Sequence, residues 1–138
     1  MSLEIILRHL PELFGALLVA ILFLQSSLDK VFDWKGNMEW LTGHFSKTFL
    51  SPFVWIMLAK LTVLELATGL LNAAGIIYFL IYGSTVLIFY GASLGALTLI
   101  GLFFGQRVAK DYPGAAVIVP YFLLCLILMY LSGPLPRI

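Results

Sequence analysis

The feature that most constrains this chain is a stretch of 41 residues, from Leu66 to Gln106, that contains no charged side chain. Polar groups cannot cover such a stretch in a chain of 138 residues, because 62% of all residues are hydrophobic and only 11% are charged. An ordinary globular domain is nearer half apolar and a quarter charged. The composition therefore excludes a water-soluble domain and predicts an integral membrane protein that is surrounded by the lipid bilayer.

Four apolar runs are long enough to cross a bilayer as helices. A spanning helix needs about 20 mostly apolar residues at about 1.5 Å per residue, so the 41-residue stretch must turn once. The strongest turn-forming residues within it are Asn72 and Gly75, and we predict the turn there. Open strands would leave unpaired backbone groups in lipid. The sequence therefore predicts one all-α domain over residues 1–138, a transmembrane four-helix bundle with spans at about 11–29, 52–72, 77–104 and 114–131.

The segment between the first two spans is too apolar for a free loop. Residues 30–50 combine Trp and Phe side chains with charges of both signs. Within it, residues 37–43 have the pattern of a short amphipathic helix lying at the membrane interface, with Trp40 and Leu41 facing inward. The alternative is an ordered loop with aromatic anchors.

Basic residues are unevenly divided between the two ends of the predicted bundle. Loops 30–50 and 105–113 together carry five Lys or Arg residues, whereas the opposite side carries two. Cytoplasmic loops of membrane proteins are enriched in Lys and Arg. We therefore expect both loops to face the cytoplasm.

Glu65 is the most informative ionisable residue, because it follows Pro52 by thirteen residues and should lie near mid-bilayer. A charge there costs about 2.5 to 3.5 kcal/mol on insertion scales. Lys60 is five residues earlier, about 140° away around the helix, so it is poorly placed to pair along one face. The partner is then Lys30, Lys60 by a bent route, or Arg107; alternatively, Glu65 carries a proton.

The ionisable side chains converge on one membrane side, which predicts a charged pocket around Glu65. Three interpretations remain open at this point: an interhelical salt bridge, a binding pocket for a polar head group or a quinone, and a proton relay. No catalytic residue can be assigned, and Trp55 is expected to line the opening. The predicted pocket residues are Gln25, Asp29, Lys30, Trp55, Lys60, Glu65, Arg107 and Asp111.

Small residues on the second and third spans predict close helix packing. Gly91 and Gly95 have GxxxG spacing, and Gly69 lies on the second span. Small residues at this spacing let two helices approach closely. The neighbouring helix belongs either to the same chain or to a second copy, in a homo-oligomer.

Other functional classes find little support in the sequence. A net charge of +1 without a basic cluster argues against nucleic-acid binding. Cys125 is the single cysteine, so no thiol pair can form within the chain. His9 and His44 have no second histidine at helical spacing, and we expect no metal site.

Three segments, in order and spacing over nearly the whole chain, resemble the DoxX family of small four-helix membrane proteins. They are Phe-Leu-Gln-Ser-Ser-Leu-Asp-Lys-Val-Phe at 23–32, Leu-Glu-Leu-Ala-Thr-Gly at 64–69 and Gly-Gln-Arg-Val-Ala-Lys-Asp at 105–111. In this resemblance Lys30 matches a family Lys at the end of helix one, and Glu65 and Gly69 match a Glu and a Gly in helix two. Arg107 and Asp111 match the polar turn before helix four.

The resemblance implies a redox-associated function. Family members form or resemble the membrane subunit of thiosulfate:quinone oxidoreductase, and others are associated with a superoxide dismutase and a sulfurtransferase; a distant vertebrate relative is a chaperone for nicotinic acetylcholine receptors. We therefore expect a quinone-interacting subunit of a bacterial cytoplasmic membrane, without an intrinsic cofactor, that works with a membrane or peripheral redox partner. The alternative is a non-enzymatic assembly factor or scaffold that binds a partner's transmembrane helix through the glycine face, and the resemblance leaves open whether the chain is an enzyme.

Overall fold

A computed structural model describes residues 2–134, and every regular element in that part of the chain is a helix. Four of these helices are long and apolar enough to cross a membrane. The predicted all-α, four-helix membrane architecture is therefore confirmed. The helices are α1 (Leu3–Arg8), α2 (Leu10–Phe32), α3 (Trp34–His44), α4 (Val54–Tyr82), α5 (Val86–Val108) and α6 (Tyr112–Ser132), with a 3-10 turn at Ser51–Phe53.

The four long helices run antiparallel to their neighbours in sequence. Helix α4 packs between α2 and α5, while α6 packs on α5 and less extensively on α2. Two contacts show the antiparallel register of α2 and α4: Lys30 meets Glu65, and the His9 ring just before α2 meets Phe79. Helix α3 and the α5–α6 turn thus share one end of the bundle, here called the loop end. The opposite end, with α1 and the α4–α5 turn, is the terminal end.

Large apolar side chains cover the outside of the bundle. Phe14, Ile81 and Phe104 are each more than half exposed, on three different spanning helices. In water such a surface would favour aggregation, but lipid tails solvate it well. The exposed surface agrees with the composition in placing the helices in a bilayer.

The buried interior has two apolar clusters at different heights. One lies where α2, α5 and α6 meet and includes Phe23, Leu99 and Leu128. The other lies toward the terminal end and is built around Phe79 and Ile88. Between and beside these clusters, α4 contributes the polar residues that form the candidate site.

The predicted turn at residues 72–75 is wrong. Helix α4 continues through that segment to Tyr82, and the chain turns at residues 83–85, where Gly83 adopts a left-handed conformation with φ 73°. The Asn72 side chain remains within the helix, where its Nδ2 donates to Thr68 O at 2.9 Å. Gly75 lies so close to α5 that an added Cβ would meet Ile88 N at 2.9 Å. The small and polar residues at this point serve helix packing.

The predicted short helix after the first span is confirmed and is longer than expected. It covers 34–44 instead of 37–43, and the Asp33 carboxylate caps its start by accepting from Gly36 N at 3.2 Å. The alternative of an ordered loop is wrong for this segment. Trp40, expected to face inward, is 59% exposed, whereas Leu41 is half-buried.

Candidate functional site

An ion pair between α2 and α4 is the centre of the candidate site. Lys30 Nζ lies 3.1 Å from Glu65 Oε2, and the two side chains are 14% and 3% exposed. Among the partners considered from the sequence, the structure therefore selects Lys30. A cation from a neighbouring helix balances the buried carboxylate, as a low-dielectric environment requires.

Ser26 holds Lys30 in position. The Lys30 ammonium donates to Ser26 Oγ at 2.8 Å and to Ser26 O at 3.4 Å. Ser26 precedes Lys30 by four residues, so both side chains lie on the same face of α2. The sequence prediction did not include Ser26, although this spacing was the signal that would have found it.

The packing of Gly69 on α2 gives the height of Glu65 relative to that helix. The Gly69 backbone approaches Leu24, eight residues before the end of α2, so that an added Cβ on Gly69 would meet Leu24 N at 2.9 Å. Glu65 is one helical turn, or about 6 Å, closer to the loop end than Gly69. It is therefore level with the last two turns of α2, while it lies near the middle of the apolar segment Ser51–Tyr82. Its position in the middle of the bilayer stays a prediction.

A chamber of about 380 Å³ opens beside this ion pair. It lies between α4 and α5, with residues 57–64 on one side and 97–106 on the other, and α3 crosses its loop end. Most of its wall is leucine, methionine and aromatic side chain. The polar side chains that line it are those of Lys30, Asn37, His44, Lys60, Thr98 and Gln106.

Contacts of His44 hold helix α3 in place over the loop end of the chamber. His44 Nε2 donates to Gln106 Oε1 at 2.7 Å and lies 3.8 Å from Asp111 Oδ2. The Trp40 ring stacks on His44 at 4.4 Å between centroids. Phe45 is buried and packs against the open side of Gly105. These contacts join α3 to the α5–α6 turn, and sequence reasoning did not foresee them because the residues are 62 positions apart.

The remaining predicted pocket residues lie outside the chamber wall. Glu65 stands behind it, while Gln25 and Trp55 are exposed on the outer surface. Asp29 accepts from Asn37 Nδ2 at 3.5 Å, which links α2 to α3. Asp111 caps α6 by accepting from Gly114 N at 3.0 Å.

Arg107 does not reach the buried carboxylate. Its guanidinium lies 4.5 Å from the centroid of the Tyr112 ring, a cation–π distance. Of the eight predicted pocket residues, the structure therefore places only Lys30 and Lys60 in the chamber wall, with Glu65 directly behind Lys30.

Other helices of the same chain occupy the space next to the three predicted packing glycines. Added Cβ atoms would meet Leu24 at Gly69 (2.7 Å) and the Asn72 side chain at Gly91 (2.8 Å). At Gly95 the nearest atoms are Cys125 Sγ and Thr68 Cγ2, both at 3.2 Å. Gly91 and Gly95 thus serve intramolecular packing, and the interpretation of this face as a contact with a second copy or a partner helix is wrong.

Buried polar residues follow one face of α4 away from the ion pair. Thr62, Glu65, Thr68 and Asn72 are all less than 9% exposed. The Thr68 hydroxyl lies 3.4 Å from that of Thr98, which lines the chamber. Asn72 Oδ1 is buried without a hydrogen-bond partner among residues 2–134. The polar face therefore extends from the chamber into the bundle and ends at Asn72.

A second buried carboxylate lies at the terminal end, and sequence reasoning missed it. Glu12 is 5% exposed; its Oε1 accepts from His9 Nδ1 at 3.4 Å, and its Oε2 has no hydrogen-bond partner in the described part of the chain. The His9 ring packs edge-on against Phe79 at 5.1 Å. The pair is separated from the polar face of α4 by the cluster around Phe79 and Ile88.

Within residues 2–134, no three His, Cys, Asp or Glu side chains come together as metal ligands. Comparisons with known proteins add no identification: no family model, no curated protein and no solved structure matches the chain. The resemblance to the DoxX family therefore stays a prediction.

Proposed function

We propose that this protein binds an amphipathic small molecule of the quinone type in the chamber between α3, α4 and α5, as a redox-associated subunit of a bacterial cytoplasmic membrane. The observation that carries the proposal is the chamber itself, a cavity of about 380 Å³ with an apolar wall and polar groups at its loop end. Small-molecule sites in proteins are typically of about 300 to 1,000 Å³, mostly apolar, with a few polar groups that set orientation.

The dimensions of the chamber suit a ring with an attached chain. On α5 it extends from Leu97 to Gln106, which at 1.5 Å per residue is about 13 Å along the helix. The apolar wall accommodates hydrocarbon, while Gln106 and Lys30 lie toward the loop end, where they can donate to ring oxygens. The Lys30 ammonium is held by Glu65 and Ser26, so it offers a preorganised donor.

The chamber opens toward the lipid. Leu97 in its wall is 59% exposed, and Lys60 and Leu64 also line a shallow groove on the outer side of α4. A ligand dissolved in the bilayer can therefore enter sideways. This route favours a lipid-soluble molecule over a water-soluble metabolite.

The chain's own residues bind and orient the ligand in this proposal. The sequence offers no thiol pair, because Cys125 is the single cysteine and is buried in the core. A partner, in the membrane or at its surface, then supplies or accepts the electrons. We place the loop end, with its excess of Lys and Arg, in the cytoplasm.

Bound quinone tests this function directly. Protein purified in mild detergent is extracted with organic solvent, and quinones are quantified by mass spectrometry. We expect substoichiometric to stoichiometric quinone in the wild type and a large loss in Gly101→Leu, since Gly101 lines the chamber and has no atom within 4 Å of an added Cβ. The leucine is expected to occupy part of the cavity, since its Cβ meets no atom within 4 Å.

Gly43→Leu is the matched control. Gly43 also has no atom within 4 Å of an added Cβ, but it is not part of the chamber wall. The control should retain the wild-type amount of quinone. Equal quinone in both variants, or none in the wild type even after reconstitution with added quinone, contradicts the proposed function.

A further inference from the structure

Lys60 carries a positive charge that no acidic side chain balances. Among residues 2–134, no carboxylate oxygen lies within 4 Å of its ammonium, whereas Lys30 is paired with Glu65. Lys60 lines both the chamber and the outer groove formed with Ala59, Val63 and Leu64. It therefore stands where the chamber meets the lipid.

The acidic and basic side chains are unevenly represented in the chamber wall. Two lysines line it, and no Asp or Glu side chain does. Since Glu65 balances only Lys30, the wall retains one uncompensated positive charge, that of Lys60. An unpaired cation next to an apolar cavity favours a ligand with a negative charge, because a charge-assisted hydrogen bond is stronger than a neutral one.

The position of Lys60 also limits where that negative charge can lie. Lys60 follows the start of α4 at Val54 by six residues, or about 9 Å of helix. A lysine at this depth can extend its ammonium toward the head-group layer while its stem lies along apolar surface. The charged part of the ligand then lies at the chamber opening, and the apolar part extends inward toward Leu97 and Leu64.

We infer that the chamber selects amphiphiles with an anionic head, bound by Lys60 at the opening between α4 and α5. This inference rests on the proposed function and deepens it, since it adds the charge of the ligand to its class. Lys60 is then the residue that determines specificity, and Lys30 is the donor that meets the ring.

A matched pair of probes tests the inference. One is a 1,4-naphthoquinone with an alkyl chain; the other carries an additional acidic hydroxyl on the quinone ring, and is used at a pH where that hydroxyl is ionised. Binding of each is measured by fluorescence quenching in nanodiscs of zwitterionic lipid, with empty nanodiscs subtracted. Wild-type protein is compared with Lys60→Gln, Lys60→Arg and Lys47→Gln.

The expected result is a preference of the wild type for the anionic probe of about tenfold or more, as a charge-assisted hydrogen bond supplies. Lys60→Gln should abolish the preference, because it should lower the affinity for the anionic probe about tenfold more than the affinity for the neutral probe. Lys60→Arg should keep the preference for the anionic probe. Lys47 lies on the loop outside the chamber wall, so Lys47→Gln should behave as the wild type.

The outcomes separate the inference from the function on which it rests. Equal affinities of the wild type for the two probes overturn the inference and leave the proposed function standing. A preference that Lys47→Gln lowers as much as Lys60→Gln also overturns it, because a diffuse surface charge then explains the preference. Failure of both probes to bind contradicts the proposed function itself.

Discussion

Two buried carboxylates, Glu65 at the loop end and Glu12 at the terminal end, show two ways to place an acid inside a membrane bundle. Glu65 faces the ammonium of Lys30 at 3.1 Å, and Ser26 supports that lysine. Glu12 has only the His9 ring at 3.4 Å. Among residues 2–134, Oε2 of each acid is buried without a hydrogen bond, but Glu65 Oε2 lies in the ion pair with Lys30. The two acids are equally buried but differently compensated.

The difference lies in the partner of each acid. The carboxyl group of Glu65 meets a lysine ammonium, whereas that of Glu12 meets a single imidazole ring. A buried carboxyl group is costly unless such a partner compensates it. The chamber lies beside Glu65 and not beside Glu12. The polar groups at the loop end therefore adjoin a cavity, whereas those at the terminal end adjoin the apolar cluster around Phe79.

The largest expected effect comes from removing the cation at the loop end. Lys30→Met leaves Glu65 without its partner and should lower the free energy of unfolding by about 3 to 5 kcal/mol, the range for breaking a buried pair. The double variant Lys30→Met/Glu65→Leu should recover more than half of that loss, because no isolated charge remains. Reversible unfolding in mixed micelles or bicelles measures both.

The same double-mutant cycle tests whether Lys30 and Glu65 are energetically coupled. If the losses of Lys30→Met and Glu65→Leu simply add in the double variant, the two side chains are not coupled. The ion pair would then not be what stabilises Glu65 in the bundle.

A smaller expected effect on the free energy of unfolding distinguishes the two acids. Glu65→Gln leaves the Lys30 ammonium without its carboxylate partner, although the hydrogen bond to Ser26 remains and the Lys30 side chain is 14% exposed. This change should lower the free energy of unfolding by about 2 kcal/mol or more. Glu12→Gln keeps an oxygen that can accept from His9 Nδ1, so its free energy of unfolding should stay within about 1 kcal/mol of that of the wild type. The same unfolding assay compares them, and equal losses would mean that the two ends are compensated alike.

The smallest expected effect concerns the two histidines. His44→Phe keeps an aromatic ring beside Trp40 but loses the 2.7 Å hydrogen bond to Gln106, at a cost of about 0.5 to 1.5 kcal/mol. Hydrogen–deuterium exchange should speed up in α3. His9→Phe should leave exchange in α3 unchanged; faster exchange there in both variants would show a general loosening instead of a local contact.

The sequence was sufficient for the architecture, because the thickness of the bilayer sets the length of each apolar run. It also narrowed the partner of Glu65 to three cations, one of which, Lys30, the structure selects. Choosing among them required the relative heights of α2 and α4, which depend on packing at Gly69 and not on local spacing.

The α4–α5 turn and the chamber could not be predicted from the sequence, for a different reason. Asn72 and Gly75 are turn-forming residues in water, but between membrane helices they allow close approach and interhelical polar contact. The true turn at Gly83 was signalled only by a glycine followed by Ser and Thr. Likewise, His44 and Gln106 are adjacent only in three dimensions, so no sequence pattern joins them.

Photolabelling of the chamber tests the central claim most directly. A quinone probe with a photoreactive group on its chain is irradiated with the protein in nanodiscs, and labelled peptides are identified by mass spectrometry. We expect label in residues 57–64 and 97–106, competed by unlabelled quinone and lost in Gly101→Leu but not in Gly43→Leu. Label spread over the lipid-facing surface, unaffected by competitor or by Gly101→Leu, would contradict the account.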